Sequence, residues 1–280
     1  MKIAIQGRLG SFHDIAAHDY FGKEVAEPLC CATFEEVFST VAEGRALGMV
    51  AIENTIAGSL LHNYELLRDS GTVVTGEYKL HIEHSICCLP DDDWDTLTEV
   101  RSHPVALMQC RHYLERHPGL KIVEAEDTAG SAEQIAKEDR HGWAAICHAS
   151  AARQWGLKVL EEKIEDNKHN YTRFLAVAPP TPSAVDGDRA SQESAGDVDK
   201  SSLVFALPHA EGALSKVLTI LSFYDMNLTK IQSLPIIGHE WEYLFYVDVT
   251  FDDEHRFRQA IDAITPLTRE LKILGIYKEW

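Results

Sequence analysis

KIAIQGRLGSFHDIAAHDY, residues 2–20, reads as a short buried strand that runs through a tight turn into a helix. Lys2–Ile5 is the apolar strand. Gly7 and Gly10 let the backbone turn sharply after it. Ser11 suits an N-cap, with Asp14 three residues on in the manner of a capping box. The N-terminus of such a helix offers free N–H groups and favours an anion. The same residues also suit a plain capped turn. Neither GxGxxG nor a GKS/T phosphate loop occurs here.

The alternation continues outward. Strands are expected at Lys2–Ile5, Gly48–Ile52, Glu77–Leu89, Glu99–Ser102, Lys121–Ala125, Ala144–Cys147 and Thr172–Ala178. Helices are expected at Ser11–Tyr20, Thr33–Glu43, His62–Asp69, Pro104–Arg116, Ser131–Glu138 and Ala149–Trp155. That pattern argues an α/β domain with largely parallel sheets over residues 1–180. The long Glu77–Leu89 segment carries the chain from one lobe into another, and the segment around Arg173 brings it back. Two lobes with a cleft between them is the natural architecture, and a common place for a small ligand.

Residues 181–200, TPSAVDGDRASQESAGDVDK, hold no large apolar residue beyond two valines. Such a segment cannot recover its ordering entropy by burial, so it reads as a linker. Beyond it, residues 201–280 read as strand Ser201–Leu207, helix Gly212–Tyr224, strands Leu228–Ile236 and Tyr243–Phe251, helix Asp252–Thr268 and strand Glu270–Tyr277. That order is βαββαβ, a ferredoxin-like α+β sandwich.

Composition bounds the function. The 280 residues carry a net charge of −18, which repels nucleic acid and anionic membrane surfaces. An anionic small molecule would need a local pocket of Arg, Lys or helix N-termini. The N-terminus lacks a signal-peptide layout, and no apolar run reaches the ~18–20 residues of a membrane span, so a cytoplasmic protein is expected. Six cysteines without a CxxC read as small, buried, reduced side chains. Fourteen histidines without HExxH give no metal site, and His81-Ile82-Glu83-His84 puts only His81 and Glu83 on one strand face. No GxSxG nucleophile elbow occurs.

Three more places set polar side chains beside a strand end, where open α/β sheets bind ligands. Glu53-Asn54-Thr55 follows a buried strand, as a functional group or as solvated turn residues. Ser102-His103-Pro104 combines a candidate N-cap with a proline suited to the first helical turn, a pattern that is often purely structural. Asn170-Tyr171-Thr172-Arg173-Phe174 packs amide, hydroxyl and guanidinium groups together. There Thr172 can donate a proton and Arg173 can clamp a carboxylate in bidentate fashion, or the segment is an edge-strand start with a surface Arg.

Taken in order, these motifs resemble the prephenate dehydratase family. The likeness rests on Gly7–Phe12, on Ile52-Glu53-Asn54-Thr55 with Gly58, on Ser102-His103-Pro104 with Ala106-Leu107 and Gln109-Cys110, and on Asn170, Thr172, Arg173 and Phe174. Gly212-Ala213-Leu214 and Asn227–Ile231 resemble the ACT regulatory domain that follows the catalytic domain in that family. The likeness implies a two-lobed, periplasmic-binding-protein-like catalytic domain and a C-terminal ACT domain. It implies a carbon–oxygen lyase that converts prephenate to phenylpyruvate in phenylalanine biosynthesis, without cofactor or metal. Thr172 would assist the leaving hydroxyl. Ser11, Asn54, Thr55, Asn170, Arg173 and Phe174 would hold the substrate, with Phe174 packing beneath. Glu53 and Ser102 would orient their neighbours. Gly212, Ala213, Leu214, Asn227 and Leu228 would sense phenylalanine at the interface of a homodimer or homotetramer. Two departures stand out: Gln232-Ser233-Leu234-Pro235 where the family has Glu-Ser-Arg-Pro, and His13-Asp14 where it often has Ser-His. Arogenate dehydratase and a non-catalytic amino-acid sensor are the competing readings.

Overall fold

The computed structural model describes residues 1–180, 198–236, 238 and 242–280. The first elements are β1 (Lys2–Gln6), α1 (Phe12–Phe21), β2 (Glu27–Cys31), α2 (Phe34–Ala42), β3 (Leu47–Asn54), β4 (Gly58–Ser59), α3 (Leu61–Asp69) and β5 (Val73–His81). Next come β6 (Ser85–Cys88), β7 (Glu99–Ser102), α4 (Pro104–Gln109), α5 (Arg111–Glu115), β8 (Lys121–Glu124), α6 (Thr128–Glu138), β9 (Trp143–Cys147), α7 (Ala149–Gln154), β10 (Lys158–Glu162) and β11 (Tyr171–Ala178). The chain ends with β12 (Lys200–Ala206), α8 (Ala213–Phe223), β13 (Asn227–Pro235), β14 (Tyr243–Thr250), α9 (Glu254–Ile264) and β15 (Arg269–Tyr277).

One sheet has the order β2-β1-β3-β11-β5, with β4 paired antiparallel to β3. A second has the order β10-β6-β9-β7-β8. The sheets are mixed rather than largely parallel: β7 runs parallel to β8 and β9, while β6 is antiparallel to β9 and β10. The expected Glu77–Leu89 strand is two strands, β5 and β6, in different sheets. The expected helix Pro104–Arg116 divides at Cys110 into α4 and α5. Strand β2 was not expected, because Pro28 interrupts a short run. It is an edge strand, where a missing N–H is tolerated.

The chain packs as two compact units. The first comprises residues 1–37, 49–60 and 79–174. Within it the second sheet is buried on both faces, as the two-residue period of a strand allows. Ile86, Cys88, Ala144 and Ile146 face Ala106, Leu107 and Leu114 of α4 and α5. Their neighbours Cys87, Ala145 and Cys147 face Ala132, Ile135 and Ala152 of α6 and α7. Five of the six cysteines are buried thiols, and Cys30 is exposed. The nearby Cys147 sulfur and burial both push the Cys87 thiol well up.

The second unit comprises residues 38–48, 61–78 and 175–280. Its β12-α8-β13-β14-α9-β15 order and β13-β14-β12-β15 sheet are the expected ferredoxin-like sandwich. Val217, Leu221, Phe257, Ala260 and Ile264 of the two helices pack on Leu203, Phe205, Val247 and Val249 of the sheet. Residues 61–78 lie against other positions of the same sheet. Tyr64 meets Tyr246 edge-on at 5.1 Å, and Lys272 Nζ donates to the Arg68 carbonyl at 2.7 Å. Gly275 sits so close to the Val74 backbone that a Cβ would collide with it. The expected linker lies outside the described residues up to 197, and Lys200 is already the first residue of β12. Among the described residues, no helix is long and apolar enough to cross a membrane.

Candidate active site

The turn after β1 depends on glycine. Gly7 and Gly10 have φ of +101° and +83°. Gly10 also lies against α7, where an added Cβ would be 2.9 Å from the Ala151 Cβ. Ser11 caps α1, its Oγ accepting from the Asp14 amide at 3.3 Å, and Asp14 Oδ2 accepts from the Gly10 amide at 2.7 Å. The expected cap is therefore present, but Asp14 reaches Gly10. Gly10→Ala is expected to destabilise by about 2 kcal/mol, from left-handed strain plus crowding. Gly44→Ala, at φ +72° with open space around it, should cost about 1 kcal/mol. Urea unfolding of both variants measures the difference.

Helix α1 is tied to the sheets by aromatic contacts. Phe12 packs edge-on to His84 and His148, at 5.6 and 6.0 Å. His13 packs edge-on to Phe174 at 5.1 Å, and its Nε2 accepts from the Ala51 amide at 3.3 Å. Burial pushes the His13 pKa down to about 4, so this ring is neutral.

The turn after β3 meets the start of β11. Asn54 Oδ1 accepts from the Ile56 and Ala57 amides, at 3.0 and 2.8 Å. Those two donors fix the side-chain amide in one orientation. Its Nδ2 then faces Asn170 Oδ1 at 2.8 Å, Thr172 Oγ1 at 3.0 Å and the Tyr171 carbonyl at 3.2 Å. Because Asn54 donates to Thr172, the Thr172 oxygen accepts, and its own proton is left to point elsewhere.

Behind this pair runs a buried polar chain. Asn170 is fully buried, and its Nδ2 donates to Gln109 Oε1 at 3.0 Å. The same oxygen lies 2.9 Å from His84 Nε2. The His84 amide donates to Glu165 Oε2 at 2.8 Å, and Glu165 Oε1 pairs with Lys168 at 3.0 Å. Burial lowers the His84 pKa, favouring the neutral ring.

Of the expected residues, the structure brings Asn54, Asn170 and Thr172 together. Thr55 stands beside them, but its hydroxyl donates to the His169 carbonyl at 3.2 Å and accepts from the Tyr171 amide at 2.9 Å. That hydroxyl ties the turn to β11. Phe174 is buried and packs against His13. The strand period sends Thr172 and Phe174 to one face and the half-buried Arg173 to the other. Glu53 is half-buried, in register with Ser59. Ser102 is not in this group. It is fully buried, and its hydroxyl donates to the Ile146 carbonyl at 2.6 Å. His103, not Ser102, caps α4. Gln109 and His84 were not anticipated as site residues. The position of Gln109 within the Ser102–Cys110 motif was the available signal.

In the second unit, exposed Gly212 is the N-cap of α8 at φ +70°, followed by half-buried Ala213 and Leu214. Asn227 and Leu228 begin β13, beyond the other end of that eleven-residue helix. A helix of this length spans about 16 Å, so one chain does not bring the two sets together.

A half-buried hydroxyl held by an amide beside a strand start, in an α/β scaffold, is the arrangement these residues build. The profile described as prephenate dehydratase matches residues 3–182, and the chain belongs to that family. The bifunctional chorismate mutase/prephenate dehydratase of Escherichia coli (strain K12) is 31% identical over 99% of this chain and 70% of its own length. Arogenate dehydratase/prephenate dehydratase 6 of Arabidopsis thaliana is 34% identical over 99% of this chain and 68% of its own. The structure of Arthrobacter aurescens prephenate dehydratase in complex with L-Phe superposes with a TM-score of 0.85, at 27% identity, covering 99% of this chain and 90% of that one. The structure of GqqA, described as a novel type of quorum quenching acylase, gives a TM-score of 0.87 at 30% identity, covering 100% and 98%.

Proposed function

We propose that this chain is a lyase, a prephenate dehydratase. The observation that carries the reading is family membership across residues 3–182, together with the fixed Asn54 amide, which donates to the Thr172 oxygen and leaves the Thr172 proton available. In the reaction the bond between the ring and its carboxyl group breaks. The electron pair enters the ring, and the opposite C–O bond breaks. Carbon dioxide leaves, and hydroxide departs as water once it receives a proton. The new aromatic ring supplies the thermodynamic drive, so the protein has to orient the substrate and stabilise the departing hydroxide. Thr172 is assigned that hydrogen bond, acting mainly electrostatically because an alcohol is a weak acid. Asn54 is assigned to holding Thr172; Arg173, on the other face of β11, is not assigned to the substrate that Thr172 meets. Asn170, being fully buried, acts on Thr172 through Asn54 rather than on substrate.

The scaffold fits a two-lobed catalytic region, followed by an ACT-type regulatory domain that binds L-phenylalanine. Support comes from the βαββαβ order of residues 200–277 and from the relative solved with L-Phe. Gly212, Ala213, Leu214, Asn227 and Leu228 are assigned to that effector. Their separation by the length of α8 calls for two chains at the effector site, hence a homodimer or homotetramer.

Two relatives set the alternative outcomes. An arogenate dehydratase acts on a substrate with an amino group on the side chain, and an acylase cleaves an amide. Acyl transfer by Thr172 would call for a base to take its proton, whereas the Asn54 amide donates to its oxygen. The test is product formation from prephenate, arogenate and an N-acyl amide in parallel. Phenylpyruvate from prephenate is expected. Faster turnover of arogenate would replace the substrate, and amide cleavage alone would overturn the reaction.

A further inference from the structure

We propose that His84 is a positioning residue for Thr172, acting through Gln109 and Asn170. The inference rests on the dehydratase reading for its kinetic consequence and on geometry for its structural one. Gln109 Oε1 takes the Asn170 Nδ2–H, so it also acts as acceptor toward His84. His84 must therefore carry its proton on Nε2, the nitrogen 2.9 Å away. The ring's other nitrogen, Nδ1, is buried with no hydrogen-bond partner among the described residues. Phe12, in the first turn of α1, holds the ring edge-on at 5.6 Å. The His84 amide is anchored separately to buried Glu165.

The polar chain is thus clamped from both ends. At one end, two backbone amides fix Asn54. At the other, the His84 N–H fixes Gln109. Without that donor, Gln109 is free to turn its own NH2 toward the Asn170 NH2, setting donor against donor. The Asn170 side chain then keeps only its Asn54 partner, and Thr172, which shares that Asn54 amide, loses part of the geometry its hydrogen bond requires. Small misplacements of a reacting group are costly in rate.

Two variants separate donation from packing. His84→Phe keeps a ring against Phe12 and removes the N–H. His84→Gln gives up the ring but returns an N–H near the Nε2 position. The expected result for prephenate turnover is a kcat at least about tenfold lower in His84→Phe, with KM within about twofold. In His84→Gln, kcat should return to within about threefold of the parent. The side-chain amide resonances of Asn54 and Asn170, read by 15N NMR, should move in His84→Phe and stay in place in His84→Gln. An unchanged kcat in His84→Phe, or equal losses in both variants, overturns the donor role. Unmoved resonances in His84→Phe overturn it as well, even if the parent turns over no prephenate. That last outcome of the kinetic assay would count against the dehydratase reading alone.

Discussion

Thr172→Ala is expected to lower kcat for prephenate by about 10²–10³, with KM little changed, in a protein that still folds. The size follows from the role. The Thr172 hydroxyl stabilises charge only as hydroxide departs, so its removal weakens the transition state more than the bound substrate. The loss should be specific, because the amide that holds Thr172 has other partners. In the variant, Asn54 Nδ2 keeps Asn170 Oδ1 and the Tyr171 carbonyl, and its Oδ1 keeps two backbone amides. Folding stability should therefore fall by only about 1 kcal/mol, the worth of one neutral hydrogen bond. Thr172→Ser is the control. It retains the hydroxyl but loses the β-branch that stiffens χ1, and is expected within about tenfold of the parent. Steady-state kinetics with urea unfolding of the same samples measures both quantities. A folded Thr172→Ala with unchanged kcat would keep the reaction and move the hydroxide-stabilising role elsewhere.

The parts of this site that the sequence announced are those decided locally. The turn from β1 into α1 could be read because glycine and N-cap chemistry act within a few residues. The C-terminal sandwich could be read because each strand and helix shows its own period. What could not be read depends on distant partners. Asn54 and Asn170 are 116 positions apart, and Gln109 and Asn170 are 61 apart. Nothing in either segment says which polar groups will be buried together. The same reason hid the fates of two hydroxyls. Ser102 and Thr55 both suit a ligand by residue type, yet backbone carbonyls of Ile146 and His169 take their protons. His84 was weighed only as a metal ligand. A lone histidine beside a strand carries no mark of a buried glutamine. The break between β5 and β6 went unseen because no Gly, Pro or Asn marks Ile82-Glu83-His84 as a turn, and the pairing partners that differ are far away in sequence.

Lys200 illustrates the same point in the second unit, and its replacement carries the largest expected stability change. At the end of a polar, small-residue segment it reads as solvated. Instead it is 2% exposed, with Nζ 2.9 Å from Glu77 Oε1 and 2.9 Å from Glu279 Oε1. Glu77 belongs to β5 and is itself buried, so the pair ties the start of β12 to β5. A buried ion pair adds little net stability over apolar residues of similar volume, because desolvation offsets the attraction. Removing one partner is different, since buried Glu77 then loses the cation 2.9 Å from it. Lys200→Met is therefore expected to destabilise by about 3–5 kcal/mol at neutral pH. The double variant Lys200→Met/Glu77→Leu should recover most of that loss, because both charges are gone. Urea unfolding of the parent, the single and the double variant at neutral pH measures both changes. A single variant as stable as the parent, or a double variant no better than the single, would mean that Lys200 does not neutralise Glu77 in the folded chain.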